Sequence, residues 1–376
     1  MHDDVPVSVK TRLLDLHAHF PMHLHFPPAV VTGPPPLGKE AEFWAANMLF
    51  NFQGGRPRVS LQQLLSGSPG GIASVLYDPD DEFFHDARPV TGACDNLFAQ
   101  IALVEAEVKG RVNIARNPAD VEKFMNSGER FLFHCVEGAF GLGGDPTNVI
   151  KLAQKGVAYV TIAHLFFRGV AACENALPFV PDALFTSLLN PEQTPDIGLT
   201  ALGKTIVSAL LANKILVDVT HCNWKAQREI FDLAHDHGKA PVISSHNSVQ
   251  AISDYPLNLS DNAIKRIAQS NGVVGIILSR HWLQPRNQAI FGPDGFGLVF
   301  AAIDHIQSCT GTYDHVAIGT DLDGFIQPID GCQDFGETTA LAAAIKHRYP
   351  KAADKILYGN AVDVLGRGWR GTQSDS

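Results

Sequence analysis

Cysteine is scarce in this chain: six residues among 376 (Cys94, Cys135, Cys173, Cys222, Cys309 and Cys332), with no CxxC pair. That spacing excludes a disulfide framework or a thiolate zinc cluster as the organising device, and free buried thiols are the expected state. Cys135 and Cys222 adjoin candidate ligands named below but are not themselves read as ligands. Positive charge is also short. Lys and Arg total 29 against 39 Asp and Glu, a formal net charge of −10, which argues against a nucleic-acid partner or an anionic membrane surface. No uncharged apolar run reaches about 18 residues, so no membrane span is expected. The start, MHDDVPVSVKTR, lacks a basic n-region followed by an apolar stretch, so no signal peptide is visible and a cytoplasmic location is expected.

What the chain does have is a repeat of apolar runs of strand length. They lie at 12–17, 72–77, 131–136, 158–163, 215–220, 241–245, 273–278 and 315–320. They are nearly continuous rather than alternating, which suits strands buried on both faces of a parallel sheet. Amphipathic stretches at 93–109, 118–126, 145–155, 199–213, 223–237, 260–270, 297–308 and 335–347 read as helices between them. Ser260 reads as an N-cap of one helix, and Gly272 as its C′ terminator. Eight strands alternating with helices predict a single (β/α)8 TIM-type barrel over 1–376, longer than the roughly 250 residues usual for that fold. The excess falls in 20–70, a proline- and aromatic-rich insertion expected over the active-site mouth, and in a polar tail at 367–376. Residues 111–116 read as a short extra strand.

The carboxyl ends of the predicted strands carry the chemistry. His17 and His19 close LLDLHAH, Glu137 closes FLFHCVEG, His221 closes ILVDVTH, His246 closes PVISSH, and Asp321 lies in VAIGTDLDG beside a competing Asp323. A parallel barrel gathers such strand ends onto one face. The His-x-His pair sends both rings to the same side of a strand, and Asp15, sharing that side, is positioned to orient a ligand. A carboxylate such as Glu137 can bridge two cations through its two oxygens, which a histidine cannot. Each of these residues alone reads as readily as a structural histidine or a solvated acid. Together, at the ends of several strands of one barrel, they point to a two-metal hydrolase.

FLFHCVEG, VTIAH, VDVTH, SSHNSVQAISDYPLNLSD, AIGTDLDG and LYGNAVDVL, in that order along nearly the whole chain, resemble the renal (membrane) dipeptidase family of zinc peptidases. The resemblance implies a metal-dependent barrel of the amidohydrolase type that holds two Zn2+ and cleaves dipeptides with a metal-bridging hydroxide. By position it makes Glu137 the bridging carboxylate. His17 and His19 become ligands of one ion, and His221 and His246 ligands of the other. His164 becomes the substrate-polarising histidine and Asp321 the catalytic aspartate.

Two positions depart from the family pattern. His19 stands where an Asp is usual, leaving a competent zinc ligand with one negative charge fewer. Leu257, before Asn258, stands where an Arg grips the dipeptide carboxylate, and leucine cannot form that bidentate pair. His164, Leu257 and Asn258 are therefore the expected substrate contacts, with Arg168, Arg280 and Arg286 as alternative cations. The expected substrate is a small dipeptide-like molecule. A non-peptide amide, a cyclic ester, or a catalytically silent ligand-binding barrel are the alternatives. Manganese, iron or cobalt suit the same ligands, and a homodimer is compatible with this reading.

Overall fold

The computed structural model describes residues 11–25, 56–83, 91–177, 180–285 and 295–372. Among these described residues nine strands form, all paired in parallel: β1 Leu13–Ala18, β2 Gly70–Leu76, β3 Asn113–Ile114, β4 Phe131–Glu137, β5 Tyr159–Thr161, β6 Leu216–Asp218, β7 Val242–Asn247, β8 Val274–Ile276 and β9 Val316–Ile318. Eight of them close into a ring. β2 pairs with both β1 and β4, from Gly71↔Phe131 to Leu76↔Val136, and β9 returns to β1 through Asp15↔Ile318. The predicted (β/α)8 barrel is therefore present, and every predicted strand falls within two residues of an observed one. β3, inside the predicted extra strand at 111–116, adds to β4 through Asn113↔Phe131 without entering the ring.

Helices wrap the outside: α1 Ala93–Val108, α2 Pro118–Ser127, α3 Asn148–Gln154, α4 Ala201–Ala212, α5 Trp224–Asp236, α6 Asp261–Gln269, α7 Phe296–Thr310, α8 Thr338–Arg348 and α9 Asn360–Gly368. Their starts follow the capping rule. The side chains of Asn117, Thr200, Asn223 and Ser260 each accept the backbone N–H three residues on, satisfying a donor the helix cannot. The end of α6 corrects the sequence reading. Asn271, not Gly272, takes the left-handed conformation, at φ 59°. Gly272 is required for a different reason: a Cβ there would lie 1.8 Å from the Val242 carbonyl oxygen. Among the described residues no helix is long and apolar enough to cross a membrane. Of the 20–70 insertion, residues 26–55 lie outside the described residues, as does Arg286.

Two strands lose regular register where they carry histidines. The β1–β2 pairing shifts between Asp15 and Ala18, and the β7–β8 pairing between Ser244 and Asn247. Such irregularities re-aim side chains at a barrel rim, and here they flank His17 and His246.

Candidate metal centre

Glu137, the last residue of β4, is the hub of the barrel mouth. Its Oε1 lies 3.3 Å from His17 Nε2 and 3.5 Å from both His221 Nε2 and His246 Nε2. Its Oε2 lies 3.2 Å from His19 Nε2 and 3.4 Å from His164 Nε2. Asp321 Oδ1 approaches His19 Nε2 to 3.4 Å and His17 Nε2 to 3.9 Å. The seven residues come from six strand ends, and all are buried. The five histidines and two carboxylates predicted from sequence therefore converge on one cluster.

The rings are held from behind. Tyr159 donates its hydroxyl hydrogen to the Leu16 carbonyl at 2.6 Å, which leaves its oxygen to accept from His17 Nδ1 at 2.8 Å. Ser245 donates to Asp218 Oδ2 at 2.6 Å and so accepts from His246 Nδ1 at 2.9 Å. With the proton on Nδ1, each ring turns a lone pair on Nε2 towards Glu137, the tautomer a cation requires. Asp218 also takes the hydroxyls of Thr161 and Thr220, so one carboxylate ties β5, β6 and β7 beneath the site. Asp15 behaves differently from the sequence expectation. It accepts from the backbone N–H of His17 and from the Thr320 N–H and hydroxyl, fixing strands rather than a ligand ring.

Asp321 and His221 sit in strained, left-handed backbone at φ 59° and 66°. For non-glycine residues this is uncommon and concentrates at functional sites. Gly324 makes room for Asp321, since a Cβ at 324 would fall 1.9 Å from Asp321 Oδ1. The competing Asp323 points elsewhere, accepting the backbone N–H groups of Arg58 and Val59 at 2.9 and 3.0 Å.

His164 has a partner that the sequence did not reveal. Glu82 Oε2 lies 2.6 Å from His164 Nδ1 and also accepts the Tyr77 hydroxyl at 2.7 Å. Its Oε1 accepts the Phe166 N–H at 2.9 Å, and Arg168 donates to the Glu82 carbonyl. Burial opposes ionising Glu82, but the charge and hydrogen bond of His164 hold its carboxyl below the usual range.

Do these residues fit a metal? Glu137 Oε1, Glu137 Oε2 and His17 Nε2 are buried without a hydrogen-bond partner, a costly condition unless something else satisfies them. The N···O separations of 3.2–3.5 Å match the edge of a tetrahedron about a zinc ion, about 3.4 Å for bonds near 2.05 Å. The charge balance points the same way. Burial disfavours the charged form of His19, yet contacts with Asp321 and Glu137 push it up to about 10. Burial also opposes ionising Glu137, but His164 and His17 hold it well below the carboxylate range. Burial drives His221 and His246 down, towards the neutral form that ligates. The pocket attracts positive charge and offers neutral imidazole. His17/His19/Asp321, His17/Glu137/His246 and Glu137/His164/His221 are each close enough to share an ion.

The sequence matches the membrane dipeptidase family, peptidase family M19, over residues 4–369. The chain belongs to this family. It is accordingly a hydrolase of the metallopeptidase class. A protein described only as lying in the pqqA 5′ region of Klebsiella pneumoniae is 28% identical over 288 residues, covering 73% of this chain and 97% of its own. Dipeptidase tcpJ of Claviceps purpurea is 25% identical over 317 residues, covering 82% and 68%. Among solved structures, a Rhodobacter sphaeroides metallopeptidase liganded with a phosphinate mimic of L-Ala-D-Ala superposes with a TM-score of 0.74 at 22% identity, over 96% of this chain and 100% of that one. The Pseudomonas aeruginosa protein PvdM, a probable dipeptidase, gives 0.70 at 20% identity, over 95% of each chain.

Against this family's pattern, the expected substrate contacts divide. Leu257 is buried in the main apolar cluster. Asn258 is also buried, and its Nδ2 donates to the Ser253 and Trp282 carbonyls, leaving Oδ1 as its unpartnered atom. Arg280 pairs with Asp330. Arg168 donates to the Phe167 and Glu82 carbonyls and lies over the Phe166 ring. Sequence reasoning missed Glu82, Tyr159, Asp218 and Ser245. For Asp218 a signal existed: a carboxylate inside an otherwise apolar strand, as at Asp15. Glu82 gave none, because YDPDDEFF looks like a solvated acidic turn.

Proposed function

We propose that this family member is a binuclear zinc-dependent hydrolase that cleaves a small amide, with a dipeptide or dipeptide-like molecule as first substrate. The observation carrying this reading is the buried, hydrogen-bond-free Glu137 carboxylate facing five imidazole Nε2 atoms. Glu137 would be shared between two ions, His17 and His19 completing one site and His221 and His246 the other. Bound there, a divalent pair supplies an acidified water and polarises the scissile carbonyl.

The chain's own residues supply the rest. Asp321 Oδ1, beside His17 and His19, takes a proton at the start of the reaction and returns it to the leaving nitrogen. His164 keeps Nδ1 on Glu82 and directs Nε2 into the site, where it donates to the carbonyl oxygen as that oxygen gains charge. Tyr159, Ser245 and Asp218 keep the ligand rings in one tautomer, so no reorganisation is needed when charge develops.

With Leu257 apolar and Arg168 and Arg280 already engaged, the dipeptide-like molecules that suit the site best are those whose C-terminal carboxylate is masked. The test is elemental analysis of purified protein combined with turnover. About two zinc per chain are expected, with activity abolished by a chelator and restored by Zn2+. Metal-free protein that hydrolyses amides at the same rate, or that cannot be loaded, overturns the reading.

A further inference from the structure

Away from the barrel mouth, three side chains of different chemistry meet between two outer helices. His305 and Cys309 lie one turn apart on α7, and Asp261 opens α6, which packs against it. Asp261 Oδ1 is 2.8 Å from His305 Nε2, and Cys309 Sγ is 3.4 Å from the same nitrogen. The three potential ligand atoms all lie within 4.8 Å of one another.

We infer that Asp261, His305 and Cys309 form a second, independent metal site for a thiophilic divalent ion such as Zn2+, bridging α6 and α7.

The geometry suits it. A Zn–S bond of about 2.3 Å and a Zn–N bond of about 2.05 Å give a tetrahedral S···N edge of about 3.5 Å, close to the 3.4 Å observed. The Asp261–His305 contact is at hydrogen-bond length and has to open by about half an ångström, to the edge of about 3.3 Å expected for such bonds. The Asp261 side chain is 54% exposed and free to make that shift. The ligand types choose the ion: thiolate and imidazole favour zinc, cobalt and copper over magnesium or calcium. A thiolate and a carboxylate together neutralise a divalent charge. Exposure leaves the fourth position to water. Lys265, one turn beyond Asp261, carries the opposing charge, but its side chain is exposed and can turn to solvent. The ion would link residues 44 positions apart in sequence, so it would stabilise the helix layer rather than act on substrate.

Cobalt(II) distinguishes this site from the catalytic one, whose proposed ligands contain no sulfur. Metal-stripped, reduced full-length protein titrated with Co2+ should show d–d bands from the barrel mouth plus a thiolate-to-cobalt charge-transfer band. Cys309→Ser should remove the charge-transfer band alone, and Asp261→Asn should raise the Co2+ concentration at which it appears by at least about tenfold, the scale on which even groups outside a ligand shell act on affinity. Hydrolytic activity should not change in either variant. Absence of the band at saturation overturns the inference. So does a band that survives Cys309→Ser, since that would place the thiolate at another cysteine.

Discussion

Glu82 Oε2 and His164 Nδ1 are 2.6 Å apart, and that contact sets where His164 points its other nitrogen, 3.4 Å from Glu137 Oε2. Replacing Glu82 with Gln keeps the shape but removes the charge, and a neutral hydrogen bond is about half as strong as a charge-assisted one. We expect kcat to fall by roughly tenfold, corresponding to about 1.4 kcal/mol, with KM and metal content little changed. Steady-state kinetics with elemental analysis checks this. A lower melting temperature with kcat intact would reduce Glu82 to a structural role.

Asp321→Asn should retain both metals while lowering turnover by about 10²–10⁴-fold, the usual worth of a positioned proton-transfer group. The five other ligands remain in place. Asp323 is not a substitute, because its carboxylate is engaged by the Arg58 and Val59 amides. Near-normal activity with metals bound would move the proton-transfer role to His164.

A panel of dipeptides and their C-terminal amides reads the consequence of Leu257. Lacking a charge-assisted grip worth about 1.5–3 kcal/mol, free dipeptides should suffer by roughly one to two decades in kcat/KM. Leu257→Arg should then favour free dipeptides selectively. Because Leu257 is packed in the core, a melt must accompany the kinetics. Efficient turnover of free dipeptides by the unaltered protein contradicts this reading.

Burial pushes the Asp15 carboxyl up from 3.8 to about 6, against hydrogen bonds from Thr320 and His17. A carboxyl whose folded value is raised contributes stability that is fully present below its unfolded value and lost as pH rises through the folded one. In metal-stripped protein this loss should reach about 2 kcal/mol between pH 4 and 7. Asp15→Asn carries no such charge, so its stability should fall less over the same window. Denaturant titrations at several pH values compare the two, and parallel pH dependences would exclude Asp15 as the source.

Much of this was legible in the sequence because the barrel buries its strands on both faces, leaving continuous Val/Ile runs, and because the fold places strand ends together. His17, Glu137, His221, His246 and Asp321 can therefore be grouped as one cluster from the chain alone. What the sequence withheld depends on tertiary partners. Asn271 takes the left-handed turn predicted for Gly272 because the close approach of Val242 already claims the glycine. Tyr159 sits in a strand as an ordinary apolar residue would, and only its partners across the barrel, the Leu16 carbonyl and the His17 ring, give its hydroxyl a purpose. Glu82 is one of several acids in a row, two of its neighbours, Asp78 and Asp81, are buried as well, and its contact with His164 is what gives it a role at the site.

Asp323 ties the loop that bears Asp321 to a stretch of chain far away in sequence. The loop that bears Asp321 grips the chain at Arg58 and Val59 through backbone amides, which any residue pair except proline can supply. Side-chain changes at 58 and 59 can thus leave the two amide contacts to Asp323 in place. A proline at 58 or 59 would remove one of the amides and loosen the footing of Asp321 from two residues away. The loop that carries Asp321 is in this way anchored to the chain ahead of β2 by a contact that reads backbone rather than side chain.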